Sequence, residues 1–131
     1  MERFRVLLVD DFQSWRHCLR SLLQQHRDDV EIVGESSDGL QAIELAQELQ
    51  PDLILLDIGL PKLDGIATAR RLRGLSPHSK IIFVSEESSA ELITEALATG
   101  AQDYIVKTNA SRLLSAIDAA LVAQELTLSG V

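Results

Sequence analysis

The sequence predicts an α/β fold in which a five-stranded, doubly wound parallel sheet is covered by helices on both faces. Three observations carry this: short runs that are apolar throughout, helical segments alternating with them, and a length that suits one core. A chain of 131 residues is enough for one domain and short for two. Hydrophobic residues make up 46% and aromatics only 4%. The core must therefore be built from Leu, Ile, Val and Ala, a palette that suits helices packed on an aliphatic sheet.

The first strand is expected at Val6–Val9, and later ones at Leu53–Leu56, Ile81–Val84 and Tyr104–Val106. A weaker alternating segment, Val30 and Ile32, supplies the second strand. Runs this short with no polar side read as strands buried on both faces. Helical spacing joins Phe12, Trp15, Leu19, Leu22 and Leu23, and then Leu40, Ile43 and Leu49. It returns at Ile66, Ala69 and Leu72, at Leu92, Ile93, Ala96 and Leu97, and at Leu113, Leu114, Ile117 and Leu121. Asp38 with Gln41 and Ser88 with Glu91 have the capping-box arrangement, and Gly100 stands where a C′ glycine would stop the fourth helix. Pro51 and Pro77 precede strands. The order is βα five times over, which demands right-handed crossovers and places ligand chemistry at the C-terminal ends of the strands. The domain is expected over residues 1–125, with 126–131 as a tail or the start of a linker.

Twenty acidic against twelve basic side chains give a formal net charge of −8. Such a body repels phosphate backbones and anionic lipid, so DNA and membrane binding by this chain are not expected. The single Cys18 cannot form an internal disulfide, and no Cys/His spacing suits zinc. Met1-Glu2-Arg3-Phe4 leads into a strand without a signal-type apolar segment, and no run approaches the roughly 20 residues of a membrane helix. A cytoplasmic location is the expectation.

On this scaffold Asp10 and Asp11 follow the first strand, Asp57 the third, Ser85 the fourth and Lys107 the fifth. Residues far apart in sequence thus converge on one sheet edge. Three carboxylates held together raise one another's pKa unless a cation sits among them, and an all-oxygen donor set is what Mg²⁺ prefers. A carboxylate can act as a nucleophile that forms an acyl phosphate. Lys107 offers a mobile ammonium to a phosphoryl oxygen and Ser85 a hydroxyl to another.

The run Val9-Asp10-Asp11-Phe12, the segment Asp52-Leu53-Ile54-Leu55-Leu56-Asp57-Ile58-Gly59-Leu60-Pro61 continuing to Asp64-Gly65, then Val84-Ser85 and Tyr104-Ile105-Val106-Lys107 resemble the successive motifs of bacterial two-component response-regulator receivers. The resemblance covers about residues 4–124 and rests on motifs in order, each weak alone. It implies a flavodoxin-like sheet of order 2-1-3-4-5 with Asp57 as phosphoacceptor. It further implies Asp11, Asp57 and the Gly59 carbonyl as direct Mg²⁺ ligands, Asp10 acting through water, and Ser85 and Lys107 on the phosphoryl oxygens. Tyr104 would be the rotating aromatic that reports the modified state, filling space opened when Ser85 is drawn to the phosphate. The donor would be a histidine kinase, because none of His17, His26 and His78 stands at a strand end. A homodimer is a further partner to expect. The chain would not be an enzyme beyond transfer and hydrolysis of its own phosphoryl group.

The chain is most similar to receivers joined to a C-terminal helix-turn-helix domain, which would make transcription the output and leave DNA to that separate domain. A stand-alone receiver that acts by protein contact is the alternative. An aspartyl phosphatase of the haloacid-dehalogenase kind wants a second Asp two positions after the first, where this chain has Gln13. A flavin or nucleotide carrier would want a Gly- or Ser/Thr-rich loop where Asp10 and Asp11 stand. Residue by residue, Asp11 could be a helix N-cap, Asp57 a turn former, Ser85 a loop hydroxyl and Lys107 a surface charge. Their joint placement argues against that. Two departures bear on the chemistry: Thr108 follows Lys107 where many receivers have proline, and Glu86 follows Ser85 where a small residue is common.

Overall fold

The computed structural model describes residues 3–128, with strands and helices in strict alternation. They are β1 (Phe4–Val9), α1 (Gln13–His26), β2 (Val30–Ser36), α2 (Gly39–Leu49), β3 (Leu53–Leu56), α3 (Gly65–Leu75), β4 (Lys80–Ser85), α4 (Ala90–Leu97), β5 (Asp103–Val106) and α5 (Ala110–Leu128). All neighbouring strands are parallel, and the sheet order is β2-β1-β3-β4-β5. The winding reverses between β1 and β3, which opens a crevice at their C-terminal ends.

Alternation along each strand explains why the runs carry no polar side. Leu7, Val9, Ile54, Leu56, Ile81 and Phe83 pack with Ala42, Ala46, Ala69, Leu72 and Ala96 on the face covered by α2, α3 and α4. Val6, Leu8, Leu53, Leu55, Ile82, Val84 and Ile105 pack with Leu19, Leu23, Leu113, Ile117 and Leu121 on the face covered by α1 and α5. Burying each Leu, Ile or Val stabilises by about 1.5–3 kcal/mol, so both faces have to be covered for the sheet to form.

The edge strand is longer than its apolar residues suggest. β2 pairs with all six residues of β1, and the register shifts so that Val6 faces Ile32 while Leu7 faces Gly34. The extra residue on β2 is a bulge. Gly34, Glu35 and Ser36 have little strand propensity of their own, and the ladder with β1 holds them.

Helix ends confirm Asp38, whose carboxylate accepts from Gln41 N at 2.8 Å. The expected cap of the fourth helix is displaced by one residue: Ser89, not Ser88, is its N-cap and accepts from Leu92 N at 3.5 Å. Two adjacent serines offer the same hydroxyl, and the backbone decides between them. Gly100 has φ +94° and donates to Leu97 O, but it lies two residues past the Ala98 cap instead of one. A side chain there would also meet the Arg73 guanidinium at 2.7 Å. Helix α5 runs to Leu128, beyond the expected boundary at residue 125, and residues 129–131 lie outside those described. No helix among the described residues is long and apolar enough to cross a membrane.

Candidate functional site

Two hydrogen bonds extend the ladder past the strand ends, from Asp10 N to Ser36 O and from Asp57 N to Val9 O, both 3.0 Å. They set the first residues after β1 and β3 side by side in the crevice. Behind Asp57, α3 begins at Gly65, whose N–H donates to Ile58 O at 2.8 Å. A Cβ on Gly65 would lie 2.0 Å from the Asp57 carbonyl oxygen, so only glycine lets α3 close on this loop.

Asp10 and Asp57 are buried, Asp11 is exposed, and one carboxylate oxygen from each lies within 4.8 Å of the others. Lys107 Nζ is 2.8 Å from Asp10 Oδ2 and 3.7 Å from Asp57 Oδ2, with its side chain only 8% exposed. Asp10 Oδ1 accepts from Phe12 N, and Asp57 Oδ1 from Ile58 N, each at 2.8 Å. Asp10 Oδ2, although close to Lys107, has no partner of hydrogen-bond geometry among the described residues. Burial pushes the Asp57 carboxyl above its ordinary value and the charge of Asp10 adds to this, while Lys107, the Ser85 hydroxyl and the Ile58 N–H pull the other way. Three carboxylates within 4.8 Å of one another, two of them buried, offer an all-oxygen donor set that fits a hard cation.

The remaining expected residues gather round this centre. Ser85 is buried, its Oγ accepts from Glu87 N at 3.2 Å, and its carbonyl accepts from Lys107 N at 2.9 Å, which ties β4 to β5 beside the carboxylates. Gly59, two residues after Asp57, is exposed and nothing lies within 4 Å of where a side chain would stand. Asp11 does not cap α1, whose N-cap is Phe12 without a side-chain bond. None of the described peptide bonds is cis, the one between Lys107 and Thr108 included. His17 and His78 are exposed, and His26 pairs with Asp118 at 3.0 Å, so none joins the site.

Tyr104, in β5, stands close to Ser85. Its ring is buried, 6.1 Å from the Phe83 ring, and its hydroxyl donates to Glu87 O at 2.7 Å. Burial raises the phenol pKa, opposed by the Ser85 hydroxyl.

Sequence reasoning also missed residues at the rim. The Lys107 ammonium lies 5.5 Å from the Phe12 ring centroid and 5.3 Å from that of Trp15. The Arg16 guanidinium donates to the Asp10 carbonyl and, at 3.0 Å, to Glu35. Phe12 and Trp15 fall within the apolar periodicity of α1, and Trp15, expected as partial core, does pack partly buried against the core. The available signal was their position, two aromatics beside an Asp pair in a chain with few aromatics. With Ser14, Glu86 and Lys107 they line a cleft of about 310 Å³.

Residues 6–118 match the family model described as response regulator receiver domain. The chain is 34% identical to chemotaxis protein CheY of Bacillus subtilis over 89% of its own length and 97% of that protein's. It is 39% identical to the nitrate/nitrite response regulator protein NarL of Escherichia coli, matching with 78% of its length and 47% of that protein's. The chain spans 56%, 29% and 27% of the lengths of three further relatives. Among solved structures, a two-component response regulator of the LuxR family from Aurantimonas superposes with TM-score 0.87 at 28% identity, covering 93% of this chain and 87% of that one.

Proposed function

The chain belongs to the response regulator receiver domain family, and from that premise we propose that it accepts a phosphoryl group on Asp57 and signals by a change of shape. The observation that carries this reading is the set of Asp10, Asp11 and Asp57 carboxylates with Lys107 in reach of two of them. Asp11, Asp57 and the Gly59 carbonyl would hold Mg²⁺ directly and Asp10 through water. Bound there, the ion would neutralise charge on the phosphoryl group in transfer.

The chain's own residues divide the remaining work. Asp57 Oδ1 is held by the Ile58 N–H, which leaves Oδ2 to attack phosphorus. The bond from phosphorus to the histidine nitrogen of a kinase breaks, and its electron pair leaves with the imidazole, which takes up a proton. Lys107 moves from Asp10 to a phosphoryl oxygen and Ser85 donates to a second, both with charge assistance. Drawing Ser85 to the phosphoryl group would open space that holds the Tyr104 ring in its buried place beside Phe83, biasing an equilibrium on the face of α4, β5 and α5. Turnover is confined to this aspartyl phosphate.

Transcription through a separate output domain is the output we assign, supported by the likeness to NarL. The match to CheY over nearly that protein's whole length favours stand-alone action as the second reading. A cytoplasmic location, a histidine kinase as donor and a homodimer belong to the same proposal. Incubation with a small phosphodonor and Mg²⁺, read by intact mass, should give one phosphoryl adduct that Asp57→Asn removes. An adduct of equal yield in that variant would refute the assignment.

A further inference from the structure

We propose that Phe12 and Trp15 form an aromatic seat that holds the Lys107 ammonium in the acidic crevice, which makes Trp15 a positioning residue for phosphoryl transfer. The inference rests on the role given to Lys107 above. Both ring centroids lie within the roughly 6 Å at which a ring face attracts a cation.

The need for a seat follows from what surrounds the lysine. Its stem is flexible and its ammonium must reach Asp10 in one state and a phosphoryl oxygen on Asp57 in the other. The cleft beside it is also lined by Glu86, a carboxylate that competes for the same cation outside the crevice. Ring faces attract it without tying it to one oxygen, so it can swing between Asp10 and the phosphoryl group while remaining over them.

Two features of the rings fit this use and are poorly explained by packing. Phe12 is 56% exposed, so it gives the core little. Trp15, the chain's one tryptophan, touches the core under α1, yet its indole Nε1 is buried without a hydrogen-bond partner among the described residues. A buried tryptophan ordinarily satisfies that donor. Here the ring sits where its face meets Lys107 and not where its N–H finds an acceptor.

The test compares wild type, Trp15→Leu, Trp15→Phe, Lys107→Met and the Trp15→Leu/Lys107→Met double variant. The initial rate of adduct formation with a small phosphodonor and Mg²⁺ should fall roughly three- to tenfold in Trp15→Leu and be largely restored in Trp15→Phe. Trp15→Leu should have no further effect once Lys107 is Met. Equal slowing by Leu and Phe, or the same factor in both lysine backgrounds, would show a packing role and overturn the seat. A second readout needs no phosphate: proton NMR should find the Lys107 ε-methylene shifted upfield by the rings, and Trp15→Leu should move it back. If wild type never gains an adduct while that shift responds, the phosphoacceptor reading falls and the seat stands. If the shift is absent or unmoved, the seat is wrong whatever Asp57 does.

Discussion

The two ends of helix α1 carry charge in opposite ways. At its C-terminal end Arg27 bonds Asp29 at 2.8 Å and Asp118 at 2.9 Å, and His26 meets Asp118 as well. The Asp29 carboxyl is pulled down by its bond to Arg27. Asp118, which burial alone would raise, ends lowered by Arg27 and His26. Midway along, Arg20 and Arg16 both bond Glu35, and that carboxyl is pulled down too, by Arg20 foremost. At the N-terminal end three carboxylates gather, the Lys107 ammonium reaches two of them, and burial foremost pushes the Asp57 carboxyl up. This chain can balance its acids where balance is all that is required. Crowding of carboxylates in a crevice built by the sheet's winding is the feature from which we propose a site for a cation and an anion.

Lys107 is where breaking that arrangement should have the largest effect. Lys107→Ala removes the cation paired with Asp10 and Asp57, and the rate of adduct formation should drop by about a hundredfold, the scale of losing one preorganised charge donor. Stopped time courses read by intact mass would show it, and an unchanged rate would make Lys107 a structural partner of Asp10 alone.

The paired region should answer in stability instead. Glu35 is partly screened by solvent, with 29% of its side chain exposed, so Glu35→Gln should destabilise by about 1 kcal/mol at neutral pH. A carboxyl with a lowered folded-state pKa stabilises above its unfolded value, and that contribution disappears as pH falls through the folded one. The difference between wild type and variant in urea titrations should therefore shrink in acid. A gap that persists or widens there would mean that Glu35 acts by packing.

The smallest effect on the metal-free fold is expected at Asp11. Asp11→Ala relieves repulsion in the crevice, so the melting temperature without metal should stay level or rise slightly, while the rise that Mg²⁺ gives wild type by mass action should be lost. Equal Mg²⁺-induced shifts in both proteins would remove Asp11 from the ligand set and weaken the contrast between the two ends of α1.

Most of the fold could be read because its strands are buried on both faces, which leaves an unbroken apolar run with punctuation at each end. The length of β2 could not, since Gly34, Glu35 and Ser36 owe their extended form to pairing with β1. The site was legible for a related reason: Asp10, Asp57, Ser85 and Lys107 stand at strand ends, and parallel topology brings strand ends together. What topology does not set was missed. Whether Ser88 or Ser89 caps α4 depends on backbone angles, and the rings over Lys107 depend on rotamers of residues that also satisfy a helical period.

Where the phosphoryl group sits is the central question, and peptide mapping answers it most directly. After reaction with a small phosphodonor and Mg²⁺, borohydride reduction marks whichever carboxyl carried the acyl phosphate, and fragmentation of the digest reads its position. The mark should fall on Asp57 and be absent from Asp10 and Asp11. A mark on Asp10 or Asp11, or spread over all three, would contradict the account, because the carboxylate assigned as nucleophile would then be no different from those assigned to hold the metal.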